Sequence, residues 1–217
     1  MTRVIIFGTG KFAEIVHYYL NEDRDYKVVA FTESSPKKRK FLGLNIIDFS
    51  QIIKKESCDF DEIFVAIGYA QMNQVRSKIC KEIIKNNIKL LTYVSKKALI
   101  SKNVVLGKNV FIFEKNNIQP YVTIGNGSIL WSGNHVGHHS KIGEYCFITS
   151  HVVISGNCTV GSNSFLGVNS SISDSTNIAE KNLIGASCHI NSDTKKSDVF
   201  INKSAINIKK KSNEFFN

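Results

Sequence analysis

The stretch VGHHSKIGEYCFITSHVVISGNCTV, residues 136–160, places an aliphatic residue at every sixth position. The same step runs without a break from Val94 to Ile190 and ends at Lys196. The aliphatic positions are Val94, Ile100, Leu106, Ile112, Ile118, Ile124, Leu130, Val136, Ile142, Ile148, Ile154, Val160, Leu166, Ile172, Ile178, Ile184 and Ile190. A period of six matches neither the 3.6 of a helix nor the 2 of an extended strand. It predicts one short strand and one turn, repeated, which is the hexapeptide β-helix pattern.

Two other positions of each hexad are also restricted. The residue four places after the aliphatic one is mostly small or Asn, and it includes Cys146, Cys158 and Cys188. Glycine directly follows the aliphatic residue at 107, 125, 137, 143, 161, 167 and 185. We expect the aliphatic side chains to point inward, the small residues to fill the corners, and the glycines to allow the turns. The three cysteines are then structural.

The first ninety residues have a different pattern, in which apolar strands alternate with amphipathic helices. The predicted strands are RVIIFG, KVVAFTE, EIFVAIG and IKLLTYV, and the predicted helices are KFAEIVHYYLNED and QMNQVRSKICKEIIKNN. Such alternation indicates an α/β domain with a parallel sheet. The sequence therefore predicts a Rossmann-like domain over residues 1–93 and a β-helix domain over residues 94–217.

The first strand–helix junction reads GTGKFA, residues 8–13, and fits G-x-G-x-x-G/A. Glu33 follows at the end of the second predicted strand, where an acid that meets a ribose or a base is expected. Glycines let the backbone approach a pyrophosphate, and the helix N-terminus attracts it. NAD and nucleotide-sugars both carry a pyrophosphate. Ninety residues are few for two mononucleotide-binding halves, which argues against NAD.

Composition narrows the classes of partner. The formal net charge is +10, but no nucleic-acid-binding motif accompanies it, which favours a phosphorylated small molecule over nucleic acid. The basic runs at 37–40, 195–196 and 209–211 are typical of solvated surface. The five cysteines include no CxxC pair, which argues against a disulfide framework. The apolar run at the N-terminus, residues 4–7, is too short for a signal peptide or a membrane span, so we expect a cytoplasmic protein.

An α/β domain followed by this repeat resembles the sialic acid O-acetyltransferase and bacillosamine-pathway N-acetyltransferase family. The segments FGTGKFAE, VAIGYAQMNQVR, GHHSKIGEYCFI, FLGVNSSI and VFINKSA fall where that family has its sugar-nucleotide, catalytic and CoA segments. The resemblance implies a left-handed β-helix prism with 18 residues per coil. It also implies a homotrimer that binds acetyl-CoA between neighbouring prisms. The nucleotide-sugar would contact Gly8, Thr9, Gly10, Lys11, Glu33, Ala66 and Gly68.

The same resemblance assigns a general base. In the family it is a His two residues after an inward aliphatic residue, which here is His138. One coil later lies Gly156, whose N–H would stabilise the oxyanion of the thioester carbonyl. Many relatives have Asp or Glu directly after the base, but this chain has His139, which brings no negative charge. Another acid would then come from Glu144 or from a neighbouring subunit, or the base would be weaker.

Further positions correspond to CoA contacts in the family. They are Phe147, Gly156, Val168, Ala186 and Lys203, with Lys195, Lys196 and 209–211 as candidates for the CoA phosphates. The family ending Gly-x-Pro-Ala is replaced here by 202–205, NKSA.

These observations predict an acetyl-CoA-dependent N-acetyltransferase that acts on a nucleotide-linked amino sugar, such as a 4-amino-4,6-dideoxyhexose, in surface glycan synthesis. Three alternatives remain open: O-acetylation of a sialic acid or a related sugar, a catalytically silent nucleotide-sugar-binding protein, and a zinc lyase. His135, His138 and His139 raise the zinc alternative, but their spacing differs from that of the prism-type carbonic anhydrases. We therefore expect no metal.

Overall fold

The computed structural model describes residues 1–54, 56, 58–203 and 205. In the first domain, a five-stranded sheet has the order β3-β4-β2-β1-β5. Its strands are β1 (Thr2–Phe7), β2 (Tyr26–Glu33), β3 (Lys40–Phe41), β4 (Leu44–Asp48) and β5 (Glu62–Val65). Its helices are α1 (Lys11–Glu22), α2 (Phe49–Ile53) and α3 (Gln74–Lys85). All pairings are parallel except that of β3 with β4, so the predicted α/β class is confirmed.

Two details of the first domain differ from the sequence prediction. The antiparallel pair β3–β4 was not predicted, because its strands are short and follow a charged run. The predicted strand IKLLTYV does not form as one unit. Leu90 makes only an isolated bridge to Ile63, and Tyr93–Val94 is instead the first strand of the prism. The predicted boundary between residues 93 and 94 therefore falls inside a prism strand.

The prism consists of two-residue strands that form three parallel sheets. The six-stranded sheet contains β7 (Leu99–Ile100), β10 (Asn117–Ile118), β13 (His135–Val136), β16 (Val153–Ile154), β19 (Ser171–Ile172) and β22 (His189–Ile190). The five-stranded sheet contains β8 (Val105–Leu106), β11 (Thr123–Ile124), β14 (Lys141–Ile142), β17 (Thr159–Val160) and β20 (Asn177–Ile178). The seven-stranded sheet contains β6 (Tyr93–Val94), β9 (Phe111–Ile112), β12 (Ile129–Leu130), β15 (Phe147–Ile148), β18 (Phe165–Leu166), β21 (Leu183–Ile184) and β23 (Val199–Phe200). Paired residues are eighteen apart, as in His135↔Val153, which is one coil.

The repeat fills the prism as predicted. Every aliphatic position from Ile112 to Ile190 is at most 5% exposed, and these side chains form one continuous core. The small residues bond neighbouring coils: Ser140 donates to the carbonyl of Ser155 and accepts from the amide of Cys158. Because buried polar groups need partners, this position favours short hydrogen-bonding side chains.

The glycines that directly follow the aliphatic residues were predicted to allow the turns, but the structure shows a different reason for them. None of the seven has a positive φ; the left-handed position lies two residues later, as at His139, whose φ is +61°. At Gly161, an added Cβ would stand 2.4 Å from the amide nitrogen of Glu180. These glycines are therefore required by the close approach of the next coil, not by the turn conformation.

The first domain packs on the outer face of the seven-stranded sheet. A single apolar cluster joins Val4 and Phe64 of the first domain to Phe111, Ile129 and Phe147 of the prism. The Asn109 side chain accepts from the Val65 amide at 2.7 Å and donates to its carbonyl at 3.4 Å. The prism thus covers the Val65 end of edge strand β5, while residues 89–91 pair with its Ile63; covering an edge in this way is a common protection of a sheet.

Candidate functional site

His138 lies in the column of turns that joins the six-stranded sheet to the five-stranded sheet. We call this column the His138 edge; it comprises residues 119–122, 137–140, 155–158 and 173–176. The His138 amide donates to the Gln119 side chain at 2.9 Å, and its carbonyl accepts from the Asn157 amide at 2.9 Å. Its backbone is therefore held from both neighbouring coils, while its imidazole is exposed. This is the arrangement of a positioned group that solvent and ligands can reach.

His139 fixes the orientation of the His138 ring. The two Nδ1 atoms lie 3.1 Å apart, and the ring of His139 stacks on Tyr121 with the centroids 4.6 Å apart. Because a neutral imidazole carries one N–H, the shared hydrogen bond couples the tautomers of the two rings. When Nδ1 of His138 donates, its Nε2 holds a free lone pair, which is the state that a general base needs.

Gly156 lies next to Nε2 of His138, as the repeat predicted. A Cβ at Gly156 would stand 2.8 Å from Cε1 and 2.9 Å from Nε2 of His138. It would also stand 3.0 Å from Oδ1 of Asp174. In the described part of the chain no residue accepts a hydrogen bond from the Gly156 amide. The missing side chain therefore leaves a notch bordered by an imidazole nitrogen and a carboxylate.

Sequence reasoning did not find Asp174, Tyr121 or Gln119. Asp174 is one coil beyond Gly156, and Tyr121 is one coil before His139, so the step of eighteen contained the signal for both. Glu144, the acid considered from sequence, lies on a different edge of the prism. Its carboxylate accepts from Asn126, so it does not face His138.

The second predicted site lies where β1, β2 and β5 end in the first domain. Gly8 has a φ of +113°, and a Cβ there would stand 3.2 Å from the carbonyl oxygen of Ala66. Gly10 is the N-cap of α1 and no side chain caps this helix, so its first amides stay open toward the loop. The Thr9 hydroxyl donates to the Glu33 carboxylate. Lys11 is exposed and forms an ion pair with Glu14.

A pocket of about 240 Å³ opens beside this loop. Its lining consists of Thr9, Glu33, Ser35, Lys37, Lys38, Phe41 and Ile46. Two lysines from the basic run at 37–40 thus face the pocket, together with one acid and one aromatic ring. Helix N-terminus, cationic side chains and a carboxylate together form a polar cradle of the kind that a phosphorylated ribose group needs.

The loop after β5 is held by a buried arginine that the sequence did not single out. Arg76 is 0% exposed and donates to the carbonyls of Ile67 at 2.8 Å and Gly68 at 2.6 Å. It also donates to the prism carbonyls of Gly127 at 2.8 Å and Cys146 at 3.3 Å. Burial lowers the pKa of Arg76 to about 10. Arg76 therefore ties the predicted substrate loop, with Ala66 and Gly68, directly to the prism.

Of the residues predicted to contact CoA, Gly156 lies beside His138, whereas the others are not brought together with His138 within one chain. Val168 and Ala186 are exposed and stack one coil apart on the edge between the seven-stranded and six-stranded sheets. Lys203 is also exposed. The side chain of Phe147 is 4% exposed and packs between Tyr69 and Phe165, under the first domain, so a contact with CoA at this position would have to come from its backbone. Residues 209–211 lie outside the described residues.

The described residues contain no group of three or more His, Cys, Asp or Glu side chains that is placed to bind a metal ion. Within the same residues, no helix combines the length and the apolar character that crossing a bilayer requires.

Comparisons with known proteins agree with this architecture. Residues 3–83 match the PglD N-terminal domain, and residues 121–156 match the bacterial transferase hexapeptide (six repeats). No curated protein matches the sequence. Among solved structures, a histidine-to-asparagine variant of perosamine N-acetyltransferase from Caulobacter crescentus, with CoA and GDP-perosamine, has a TM-score of 0.83 at 24% identity, covering 92% of this chain and 93% of that one. The acetyltransferase domain of PglB from Neisseria gonorrhoeae has a TM-score of 0.81 at 18% identity, covering 92% and 96%.

The fold, the histidine edge and the two family matches define a hexapeptide-repeat transferase, which confirms the predicted class. Within that class the chain is similar to acyltransferases in which a PglD N-terminal domain precedes the repeat, as its sequence resemblance indicated. At 24% and 18% identity the solved structures add the fold to this assignment.

Proposed function

We propose that this protein is an acetyl-CoA-dependent N-acetyltransferase whose acceptor is a nucleotide-linked amino sugar. The notch between His138 and Gly156 carries the proposal, because an imidazole nitrogen and an amide without a partner among the described residues lie around one small space. The solved relative from Caulobacter crescentus, which holds CoA and GDP-perosamine, supports the choice of both substrates. A 4-amino-4,6-dideoxyhexose is the acceptor we expect, in bacterial surface glycan synthesis and in the cytoplasm.

The reaction is a direct transfer with no acyl-enzyme. The neutral amine nitrogen attacks the thioester carbonyl, and the Gly156 amide donates to the oxygen that gains negative charge. His138 Nε2 accepts the proton that the nitrogen loses, and the C–S bond breaks. The imidazolium then returns the proton to the leaving thiolate, so that amide and free CoA thiol are the products.

The pocket of the first domain is the proposed nucleotide-sugar site. Lys37 and Lys38 of its lining, and the N-terminus of α1 next to Thr9, suit a diphosphate, and Glu33 suits a ribose or base donor. In the described part of the chain no contact joins this pocket to His138, since the first domain covers a different sheet. We therefore propose a homotrimer, in which the pocket of one subunit serves His138 of the next.

The test is a thiol-release assay with acetyl-CoA and a panel of UDP-, dTDP- and GDP-linked amino sugars, GDP-perosamine included. We expect thiol release that depends on one member of the panel, and a His138→Ala variant that loses about 10²–10⁴-fold in kcat while still binding CoA. Thermal stabilisation by a nucleotide, measured separately, reports on the first-domain pocket.

Three results would redirect the proposal. Thermal stabilisation by CoA without any nucleotide would favour O-acetylation of a free sugar. Binding of both substrates without thiol release would favour a silent binding protein. A His138→Ala variant that keeps most of its kcat/KM would remove His138 from the role of base.

A further inference from the structure

Asp174 brings a carboxylate to the His138 edge without an ion-pair partner. Its Oδ1 points at the notch of Gly156, while Oδ2 accepts from the Ser175 hydroxyl at 2.8 Å. Within the described residues no Lys, Arg or His nitrogen forms an ion pair with it. The titratable groups that the structure places near it are His138 and the buried thiol of Cys158.

We infer that Asp174 determines acceptor specificity, by selecting a positively charged amine over a neutral hydroxyl at the His138–Gly156 notch. The inference rests on the proposed function, because it names the group that the same site would choose. Nε2 of His138 and Oδ1 of Asp174 both lie within 3.0 Å of one point, the Cβ position of Gly156. An acceptor group that reaches Nε2 is therefore also within a few ångströms of the carboxylate.

Attraction between the Asp174 carboxylate and a positively charged amine explains why the amine would be selected over a hydroxyl. An opposite charge at about 4 Å strengthens binding about fivefold even in water, and more where solvent is partly displaced. A sugar ammonium gains this attraction, whereas a hydroxyl gains at most a hydrogen bond. The ammonium must still lose one proton before its nitrogen attacks. That proton passes to solvent, and the second proton passes to His138, so the overall reaction releases one proton when the amine enters charged.

Asp174 also supplies a negative charge near His138, whose neighbour in sequence, His139, is not an acid. His139 holds Nδ1 of His138 and supplies no negative charge. Asp174 supplies a negative charge on the Nε2 side of the ring. This is the side on which His138 takes up a proton and on which the sugar ammonium would bind. The negative charge that the resemblance led us to expect next to the base in sequence is carried here by a residue two coils farther along the chain.

The test compares ligand binding by the full chain and by an Asp174→Asn variant, with CoA present. The probes are GDP-perosamine and the same nucleotide-sugar with a hydroxyl in place of the amine, measured by calorimetry. We expect Asp174→Asn to weaken the amine probe about tenfold and the hydroxyl probe less than about twofold. The gap should close as the pH rises and the amine becomes neutral, which a merely structural role would not produce.

Asp193→Asn is the matched control, because its carboxylate bonds the amide and side chain of Asn177 and does not face the notch. It removes the same charge and should leave the preference for the amine unchanged. Equal losses for both probes with Asp174→Asn, or no loss at all, would overturn the inference and leave the N-acetyltransferase proposal standing. If the wild type transfers acetyl to the hydroxyl probe and not to any amine of the panel, both proposals fall.

Discussion

At the scale of single residues, His139 occupies the position where the family resemblance led us to expect an acid. It occupies the left-handed slot of its hexad, with a φ of +61°, and stacks on Tyr121. Asn and Asp tolerate this backbone conformation better than most residues do, so an acid fits the slot as well. The structure gives His139 an orienting role toward His138, which needs a hydrogen-bond acceptor but no charge.

Replacement of His139 separates orientation from charge. We expect His139→Ala to lower kcat about tenfold, because the His138 ring loses the bond that sets its tautomer. His139→Asp should restore kcat at least to the wild-type value, because a carboxylate accepts the same hydrogen and adds negative charge. The measurement is kcat in the thiol-release assay, with CoA affinity as the control. If His139→Ala keeps full kcat, the ring of His138 does not depend on this contact.

At the scale of the elements, the hexad contains two kinds of glycine environment, one residue and two residues after the aliphatic position. Gly161 faces backbone: its Cβ would stand 2.4 Å from the Glu180 nitrogen and 2.5 Å from the Ala179 carbonyl carbon. Gly156 faces side chains, namely the His138 ring and the Asp174 carboxylate. A backbone neighbour cannot yield, whereas a side chain can rotate, so the two positions should respond differently to the same methyl group.

Alanine at each position tests this difference. Gly161→Ala should lower the free energy of unfolding by about 1–3 kcal/mol, as overpacking does, with little change in kcat per folded molecule. Gly156→Ala should leave the melting temperature within a few degrees and lower kcat, because the imidazole must leave its place. Calorimetric melting and the thiol-release assay measure the two effects. Equal thermal losses in both variants would contradict the distinction.

Arg76 joins two elements that are far apart in the chain, α3 and the prism wall. Methionine at this position leaves the carbonyls of Gly68, Ile67 and Gly127 without their donor. We expect Arg76→Met to destabilise the protein by about 3 kcal/mol, measured by urea unfolding. Arg76→Lys is the control, because it keeps the charge but lacks the forked guanidinium that bonds both the loop after β5 and the prism. The stability of the Lys variant should lie between those of the wild type and the Met variant. A Met variant as stable as the wild type would show that water replaces these bonds.

The repeat explains why so much was predictable from sequence and why the remainder was not. A strict period of six determines the strand positions, the inward residues and the neighbour one coil away. The contact of His138 with Gly156 could therefore be predicted by adding one coil, eighteen residues, to position 138. Arg76 was not predicted because its charge and helical position suggested a solvated surface. Its burial depends on how the first domain docks on the prism, and no local pattern encodes that contact. The burial of the Phe147 side chain was not predicted for the same reason, since docking covers its sheet.

At the scale of the whole molecule, the two domains share one core and several polar contacts. Lys96, at the start of the prism, bonds Asp23 at 2.7 Å and Asp25 at 2.8 Å in the turn between α1 and β2. On the same face, the Tyr19 hydroxyl donates to Glu114 at 2.6 Å. Neither domain buries its surface alone, so we expect the chain to unfold as one cooperative unit.

The ion pair at Lys96 makes the stability of this junction dependent on pH. Burial alone would raise the pKa of Asp23, but hydrogen bonds from Lys96 and from the Asp25 amide outweigh it and lower that pKa. A carboxyl with a lowered pKa stabilises the fold above its ordinary pKa, and this contribution is lost as the pH falls through the lowered value.

Lys96→Met should therefore lower the melting temperature by about 3–6 °C at pH 7 and by much less near pH 2. Melting curves at the two pH values measure the effect, and Lys97→Met, next in the chain, is the control. A loss of equal size at both pH values would point to packing rather than charge.

The step of eighteen residues has a consequence for how such a protein can change. His138, Gly156 and Asp174 occupy the same place on three successive coils. Functional groups at this place are therefore separated along the prism axis by whole multiples of the distance between coils. An insertion or deletion of one whole coil keeps the core in phase and moves every later group by the height of one strand, about 4.8 Å. The distance between an acceptor group and its base can therefore change in steps of one coil, while the fold and the active-site residues stay the same.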